Sequence, residues 1–358
     1  MKKLLLAALL ALSLILCACG GDNTPADNTP AEGDSVTVTD MAGREVTVAA
    51  EGGQIYTTGQ VSTIMVYMLD PDALLGWNYA LNDAEKAFIL PEYHDLPVFG
   101  MGDAVNLEAV AAAAPRFVLA GGPITDSNIA DAEALQAQLG IPVVMVSDAL
   151  TDCPEAFRLI GRLIGRDEQA EALAAFAEKT FADIEAAVAT VPADQRVSVY
   201  YGNGEQSLNT SPAGSTSSQV LEMAGAVNVA ALEAGDGSRM DISKEQILAW
   251  DPDVVILNGE PKSGFSGGEA VAAFCCDPDY ARLTAVEKGR VYACPKAPFS
   301  WIDRPPGPNR LIGLYWAFAG FYPDYADFDI RDITAEFYRL FYHTELTGEQ
   351  VDSLLAAE

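Results

Sequence analysis

Positive charge is scarce in this chain of 358 residues: 21 lysines and arginines face 51 aspartates and glutamates, for a formal net charge of −30. A surface this acidic repels the phosphate backbone, which excludes a nucleic-acid-binding protein. Only two histidines occur, His94 and His343, so a histidine-rich metal site is not expected, and the Glu-Tyr-His-Asp segment around His94 lacks a metal-binding spacing. Any anionic ligand must therefore meet a local group of cationic side chains.

A hydrophobic run long enough to cross a membrane is also missing. Residues 4–16, after Lys2 and Lys3, are almost entirely apolar but fall short of the roughly 20 residues that a spanning helix needs. Their length fits the apolar region of a secretory signal. Residues 20–35 then repeat Asp-Asn-Thr-Pro-Ala without an apolar stripe, which predicts a disordered tether.

Cysteine is sparse beyond the leader, and the C-x₂-C spacing of zinc sites is absent. Cys153, Cys275, Cys276 and Cys294 remain. An exported protein permits disulfides, and adjacent cysteines seldom bond to each other. We therefore expect a bridge from Cys275 or Cys276 to Cys294.

The rest of the chain contains the same sequence pattern twice. "NLEAVAAAAPRFVLAGGP" begins at Asn106 and "SKEQILAWDPDVVILNGEP" at Ser243. Each has a helix N-cap, a glutamate two residues on, a proline seven residues later and an apolar strand ending in a glycine-containing loop. Strands and helices also alternate on both sides of each copy. This alternation predicts an α/β protein of two lobes, each with a parallel sheet flanked by helices.

A long helical stretch separates the two copies. Helical spacing of apolar residues runs through residues 154–164 and, after Gly165, on to about Val191, just before Pro192. The sequence therefore predicts an N-terminal lobe over 36–152, a linker helix over 153–192, and a C-terminal lobe with closing helices over 193–358. The cleft between the lobes is the expected ligand site.

These features resemble a known family, the substrate-binding lipoproteins of ABC importers for ferric siderophores, heme and cobalamin. The resemblance rests on the order of the repeated motifs, on "VTVTDMAGREVTV", "LDPDALLGWN" and "SWIDRPPGPNR", and on "LCACG", which resembles a lipobox. It implies a signal peptide over 1–19, a lipid on Cys19 and a position outside the cytoplasmic membrane. An ordinary cleaved signal is the alternative for the leader. The resemblance also implies a monomer that delivers its ligand to an ABC permease dimer with ATPase subunits, through Glu108 and Glu245 on the lobe tips.

Candidate ligand contacts follow the strands of both lobes. In the second lobe, "SWIDRPPGPNR" lies after a late strand and before a helix, so Arg304 could bind an anion, Asp303 could accept hydrogen bonds and Trp301 could stack on a flat ligand. A core tryptophan beside an internal Asp–Arg pair is the alternative. The further expected contacts are Thr58, Gly59, Gln60, Trp77, Tyr79 and Tyr201.

The expected ligand is an iron chelate, either a ferric siderophore or heme. Cobalamin, an oxyanion or a bare metal on the same fold are alternatives, and no resident cofactor or metal is predicted. "GFSGG" around Ser266 matches the G-x-S-x-G pattern of serine hydrolases, but the serine does not directly follow a strand. We therefore expect a binding protein rather than an enzyme.

Overall fold

The computed structural model describes residues 35–231, 239–260 and 263–357. The predicted signal peptide, Cys19 and nearly all of the tether lie outside the described residues. Within the described ranges, no helix is both long enough and apolar enough to cross a membrane.

The strands form three sheets. A two-stranded antiparallel hairpin, β1–β2, precedes a three-stranded parallel sheet in the order β3-β4-β5 and a six-stranded mixed sheet in the order β11-β10-β6-β7-β9, with β8 paired to β6. In the large sheet, β6, β8, β10 and β11 are parallel, whereas β7 and β9 pair antiparallel. The bounds are β1 Ser35–Thr39, β2 Glu45–Ala49, β3 Tyr56–Thr57, β4 Val118–Gly121, β5 Val143–Val146, β6 Ser198–Asn203, β7 Asn209–Thr210, β8 Val227–Asn228, β9 Met240–Asp241, β10 Val254–Leu257 and β11 Val291–Ala293.

Helices flank both sheets and join them. Their bounds are α1 Gln60–Leu69, α2 Asp83–Lys86, α3 Leu107–Ala113, α4 Asp126–Leu139, α5 Cys153–Ile164, α6 Asp167–Thr190, α7 Gln219–Met223, α8 Lys244–Trp250, α9 Gly267–Cys276, α10 Thr284–Glu287, α11 Arg310–Phe321, α12 Ile330–Phe341 and α13 Gly348–Ala356. The predicted fold class, two α/β lobes with a helical linker, is confirmed. The exact domain boundaries stay predictions.

The linker is one long helix with a preceding shorter one. α5 ends at Gly165, which adopts a left-handed φ of 70°, a conformation that favours glycine. α6 then runs for 24 residues, a length of about 36 Å at 1.5 Å per residue. It packs against α1 of the first lobe and against α11 of the second. One hydrophobic cluster consequently includes Val66, Leu173, Tyr201 and Phe318, so the two lobes share a core.

The two repeated helices begin as their sequences predict. The Asn106 side chain accepts a hydrogen bond from the backbone N–H of Ala109, and Ser243 accepts one from that of Gln246. Glu108 and Glu245 occupy the first turns of α3 and α8 and are exposed. Negative charge at a helix N-terminus is favourable, and exposure leaves both carboxylates accessible to a partner.

The disulfide expected for Cys294 does not form. Cys153, Cys275, Cys276 and Cys294 are all free thiols. Cys294 is buried in the core, whereas Cys275 and Cys276 are exposed at the end of α9. This separation between core and surface corrects the prediction.

Candidate functional site

A cavity of about 870 Å³ that contains predicted site residues lies between the two lobes. From the first lobe it is lined by Gln60 at the start of α1, by residues 123–124 after β4 and by residues 147–149 after β5. From the second lobe it is lined by residues 214–217 before α7 and by residues 303–306 after β11. Carboxyl ends of parallel strands therefore meet at this cleft, as is usual for ligand sites in α/β proteins.

The walls of the cleft carry hydroxyl, amide and charged groups. The remaining lining residues include Asp152, Gln219 and Glu222. Ser147 donates its hydroxyl proton to Asp152 over 2.6 Å, and Glu222 accepts from the backbone N–H of Gly214 over 2.9 Å and from the Ser218 hydroxyl over 2.8 Å. These carboxylates are thus already hydrogen-bonded to the protein.

Asp303 and Arg304 both line the cleft but differ in exposure and partners. Asp303 is buried and forms an ion pair with Arg239, whose Nη2 lies 2.7 Å from Oδ2. The Ser300 hydroxyl donates to its other oxygen over 3.2 Å. Arg304 is exposed and lines the cavity. The sequence did not reveal Arg239 as the partner of Asp303, because 64 positions separate the two residues.

The predicted contacts that follow β3 in the first lobe do not all line the same cavity. Gln60 lines the cleft, and Thr58 lines an adjoining first-lobe cavity of about 740 Å³. Gly59 is the N-cap of α1, and its carbonyl accepts hydrogen bonds from the hydroxyls of Ser62 and Thr63. The first turn of α1 carries no acidic residue, so the positive end of the helix dipole is not offset there.

The structure corrects three of the predicted aromatic contacts. Trp301 and Tyr201 are fully buried and Trp77 is 3% exposed; all three belong to the shared core. Trp77 donates its indole N–H to the Tyr93 carbonyl over 2.7 Å and packs against the ring of Tyr67. Burial also raises the pKa of Tyr201 well above its ordinary value. These rings stabilise the lobes and do not line the cleft.

Tyr79 is not among the residues that line the cleft. It is half-buried, packs against the shared core and donates its hydroxyl to Glu85 over 2.6 Å. Burial raises the pKa of Glu85, and both burial and this hydrogen bond raise the pKa of Tyr79.

Trp301 is held in the core by the helix that follows its loop. Gly313 of α11 lies so close to this loop that a Cβ atom at that position would stand 1.8 Å from the Trp301 carbonyl oxygen. A glycine inside an otherwise apolar helix often marks such a close approach. Gly313 therefore lets the backbone of this loop lie against α11.

Arg310 is the functional candidate that sequence reasoning missed. It is the first residue of α11 and is 0% exposed. Its guanidinium donates to Gln219 Oε1 over 2.9 Å and to the Pro306 carbonyl over 2.5 Å, and both of these residues line the cleft. The helix that follows is apolar nearly all round, the pattern of a buried helix, and this pattern could have indicated a buried arginine.

Ser266, His94 and His343 each form local hydrogen bonds with the protein. Ser266 is the N-cap of α9 and forms a reciprocal capping box with Glu269. His343 contacts the Tyr67 carbonyl and His94 the Ile89 carbonyl through their Nε2 atoms. No group of three or more metal-ligating side chains occurs in the part of the chain that the structure describes.

Comparison with known proteins identifies the family. A family model described as periplasmic binding protein matches residues 55–298. The chain belongs to this family. It is therefore a solute-binding protein rather than an enzyme, and it works outside the cytoplasm with the permease and ATPase subunits of an ABC transporter.

Individual relatives agree with this assignment. The chain is 27% identical over 284 residues, 72% of this chain and 75% of the relative, to the molybdate-binding protein MolA of Haemophilus influenzae. It is similar to a solved ABC transporter solute binding protein from Sulfurospirillum deleyianum, with a TM-score of 0.80, 29% identity and coverage of 89% of this chain and 98% of that one. A periplasmic solute binding protein from Veillonella parvula matches with a TM-score of 0.75 and 24% identity, over 89% and 96% of the two chains.

Proposed function

We propose that this receptor captures a small oxyanion of the molybdate type. The observation that carries the proposal is the chemistry of the cleft: among its lining residues are hydroxyls, amides and Arg304, and no aromatic ring. Tetrahedral oxyanions are bound by hydrogen-bond donors and by guanidinium groups. The open first turn of α1 adds backbone N–H groups and a positive dipole end. The molybdate-binding relative supports the same ligand class.

The acidic residues of the cleft differ in how their charge is offset: an ion pair neutralises Asp303, whereas Asp152 and Glu222 accept hydrogen bonds from neutral groups and keep their charge. Asp303 pairs with Arg239, Asp152 accepts from Ser147, and Glu222 accepts from a backbone N–H and a hydroxyl. Burial raises the pKa of the fourth, Asp148, and the Arg310 charge opposes this effect. The anion is thus expected to bind near Gln60 and Arg304.

An iron chelate is the second candidate, and the size of the cleft favours it. A volume of about 870 Å³ lies within the range of pockets for drug-sized ligands, about 300–1,000 Å³, and far exceeds one tetrahedral anion. Against this candidate stands the burial of the rings of Trp77 and Trp301, which a heme or a catecholate would be expected to contact.

Titration calorimetry separates the two candidates. We expect saturable binding of one molybdate or tungstate per chain, without binding of ferric siderophores, heme or cobalamin. Arg304→Gln should weaken oxyanion binding by about 10- to 100-fold, the range for loss of a hydrogen bond to a charged group. Arg158→Gln is the matched control, because Arg158 lies on α5 and pairs at the surface with Glu171 and Glu178. Equal affinities of the two variants would contradict the role of Arg304.

We further propose that Glu108 and Glu245 dock the receptor on arginines of the permease. The two carboxylates are exposed at equivalent positions of the two lobes, and the hydrogen bond from Ser243 lowers the pKa of Glu245. Glu108→Arg combined with Glu245→Arg should abolish stimulation of the transporter ATPase in proteoliposomes and leave ligand affinity unchanged. ATPase stimulation by the double variant at the wild-type level would contradict docking through these residues.

We also propose that Cys19 carries a lipid that holds the receptor at the outer face of the membrane. The lipobox-like "LCACG" supports this proposal. Labelling of cells with a clickable palmitate analogue should mark the wild-type chain and leave Cys19→Ala unlabelled. Labelling of the Cys19→Ala variant would show that the lipid is attached at another residue.

A further inference from the structure

Arg310 places a buried positive charge under the floor of the cleft. Its side chain is 0% exposed and is among the largest fully buried side chains of the described residues. Burial lowers the pKa of Arg310 to about 10, so the guanidinium still carries its charge at pH 7. A buried charge is costly unless a counter-charge accompanies it.

The hydrogen-bond partners of this guanidinium are neutral oxygens. It donates to Gln219 Oε1 and to the carbonyl of Pro306, and more weakly, over 3.4 Å each, to the carbonyls of Asp148 and Gly307. Within the described ranges, Arg310 forms no ion pair with a carboxylate. The hydrogen bonds satisfy the donors without neutralising the charge.

The nearby acids interact with Arg310 without forming an ion pair with it. Asp303 interacts electrostatically with Arg310 but is already in an ion pair with Arg239. Asp148 also interacts electrostatically with Arg310, but the guanidinium donates to its backbone carbonyl and not to its carboxylate. Because Asp148, Gln219 and Pro306 all line the cleft, the guanidinium that they accept from lies behind its wall, without an ion-pair partner among the described residues.

We propose that Arg310 is a specificity-determining residue that favours a doubly charged oxyanion over a singly charged one of the same shape. This inference rests on the proposed oxyanion function. Arg310 acts through its electric field and not through contact, since its guanidinium is covered by the residues that line the cleft. A field of this kind distinguishes ligands by charge, whereas the hydroxyls and amides of the walls distinguish them by shape.

A purely structural role for Arg310 makes a different prediction. Its contacts join the second lobe to the Asp148 carbonyl of the first, so loss of Arg310 could simply loosen the cleft. Loosening would weaken the binding of all tetrahedral anions by a similar factor. The ratio of the affinities for two anions of different charge therefore distinguishes an electrostatic role of Arg310 from a structural one. The affinity for a single anion does not.

The test is the ratio of molybdate to perrhenate affinity, measured by titration calorimetry at pH 8. These two anions share the tetrahedral shape and differ by one charge. For charges roughly 10 Å apart at an effective dielectric constant of about 20, each ligand charge contributes about a tenfold factor. Arg310→Gln should therefore lower the ratio about tenfold, and Arg310→Lys, which keeps the charge, should preserve it.

A variant that leaves Arg310 in place covers the case in which Arg310→Gln does not fold. Asp148→Asn removes an opposing charge from the same floor and should raise the ratio. An unchanged ratio in folded Arg310→Gln, or in Asp148→Asn, would overturn the inference while leaving the oxyanion function intact. Absence of binding of either anion to the wild-type protein would instead overturn the proposed function, and this inference with it.

Discussion

Replacement of Trp301 by alanine tests whether this ring belongs to the core or to the ligand site. The side chain is fully buried in the cluster shared by both lobes. A buried aromatic ring covers about 150–250 Å², which at about 25 cal/mol per Å² corresponds to about 4–6 kcal/mol. Measured losses for buried Phe or Trp to Ala are about 3–5 kcal/mol. We therefore expect Trp301→Ala to lower the free energy of unfolding by about 3–5 kcal/mol.

Urea unfolding followed by far-UV circular dichroism measures this loss without relying on the fluorescence of the mutated residue. Trp301→Phe is the matched variant, because it keeps an aromatic ring in part of the same space, leaves a smaller cavity and should cost less than Trp301→Ala. Ligand affinity of Trp301→Phe should equal that of the wild type. A stable Trp301→Ala protein that has lost ligand affinity would refute the core assignment and return the ring to the cleft.

Three further outcomes follow from the same structure. Burial raises the pKa of Asp148 above its ordinary value of 3.8, so the folded state binds this proton more readily than the unfolded state. The free energy of unfolding should therefore increase as the pH falls through the raised pKa. The urea midpoint of Asp148→Asn should lack this increase. Alkylation of the native protein followed by peptide mass spectrometry should modify Cys275 and Cys276 and spare Cys153 and Cys294; protection of either exposed thiol by a disulfide would contradict the free state. Free and loaded crystal forms should differ by only a small lobe rotation, since the lobes share one core, and a large hinge motion would refute this rigidity.

The architecture was predictable because it depends on local patterns. The apolar strand predicted in each copy of the repeat is present, as β4 and β10, and the predicted N-caps Asn106 and Ser243 accept the expected hydrogen bonds. Alternation of apolar strands with helices and the break at Gly165 specify the two lobes and the linker. These signals act within a few residues, so the sequence displays them directly.

The orientation of single side chains in the cleft was not predictable in the same way. "SWIDRPPGPNR" contains two arginines, and the sequence does not show that Arg304 is exposed while Arg310 is buried. That difference arises from packing of α11 against α6 and α7, which are distant in the chain. The same holds for Trp301, whose ring is buried in the core shared by both lobes. Long-range packing therefore decides which residues of a correctly located loop reach the ligand.

Crystals grown or soaked with tungstate test the central claim most directly, since tungsten scatters anomalously and reports both the ligand and its position. The proposed function predicts one strong anomalous peak in the cleft between the start of α1 and Arg304, above the buried Arg310. Absence of this peak at a saturating tungstate concentration would contradict the proposed function. Binding of a ferric chelate in the cleft instead would also contradict it.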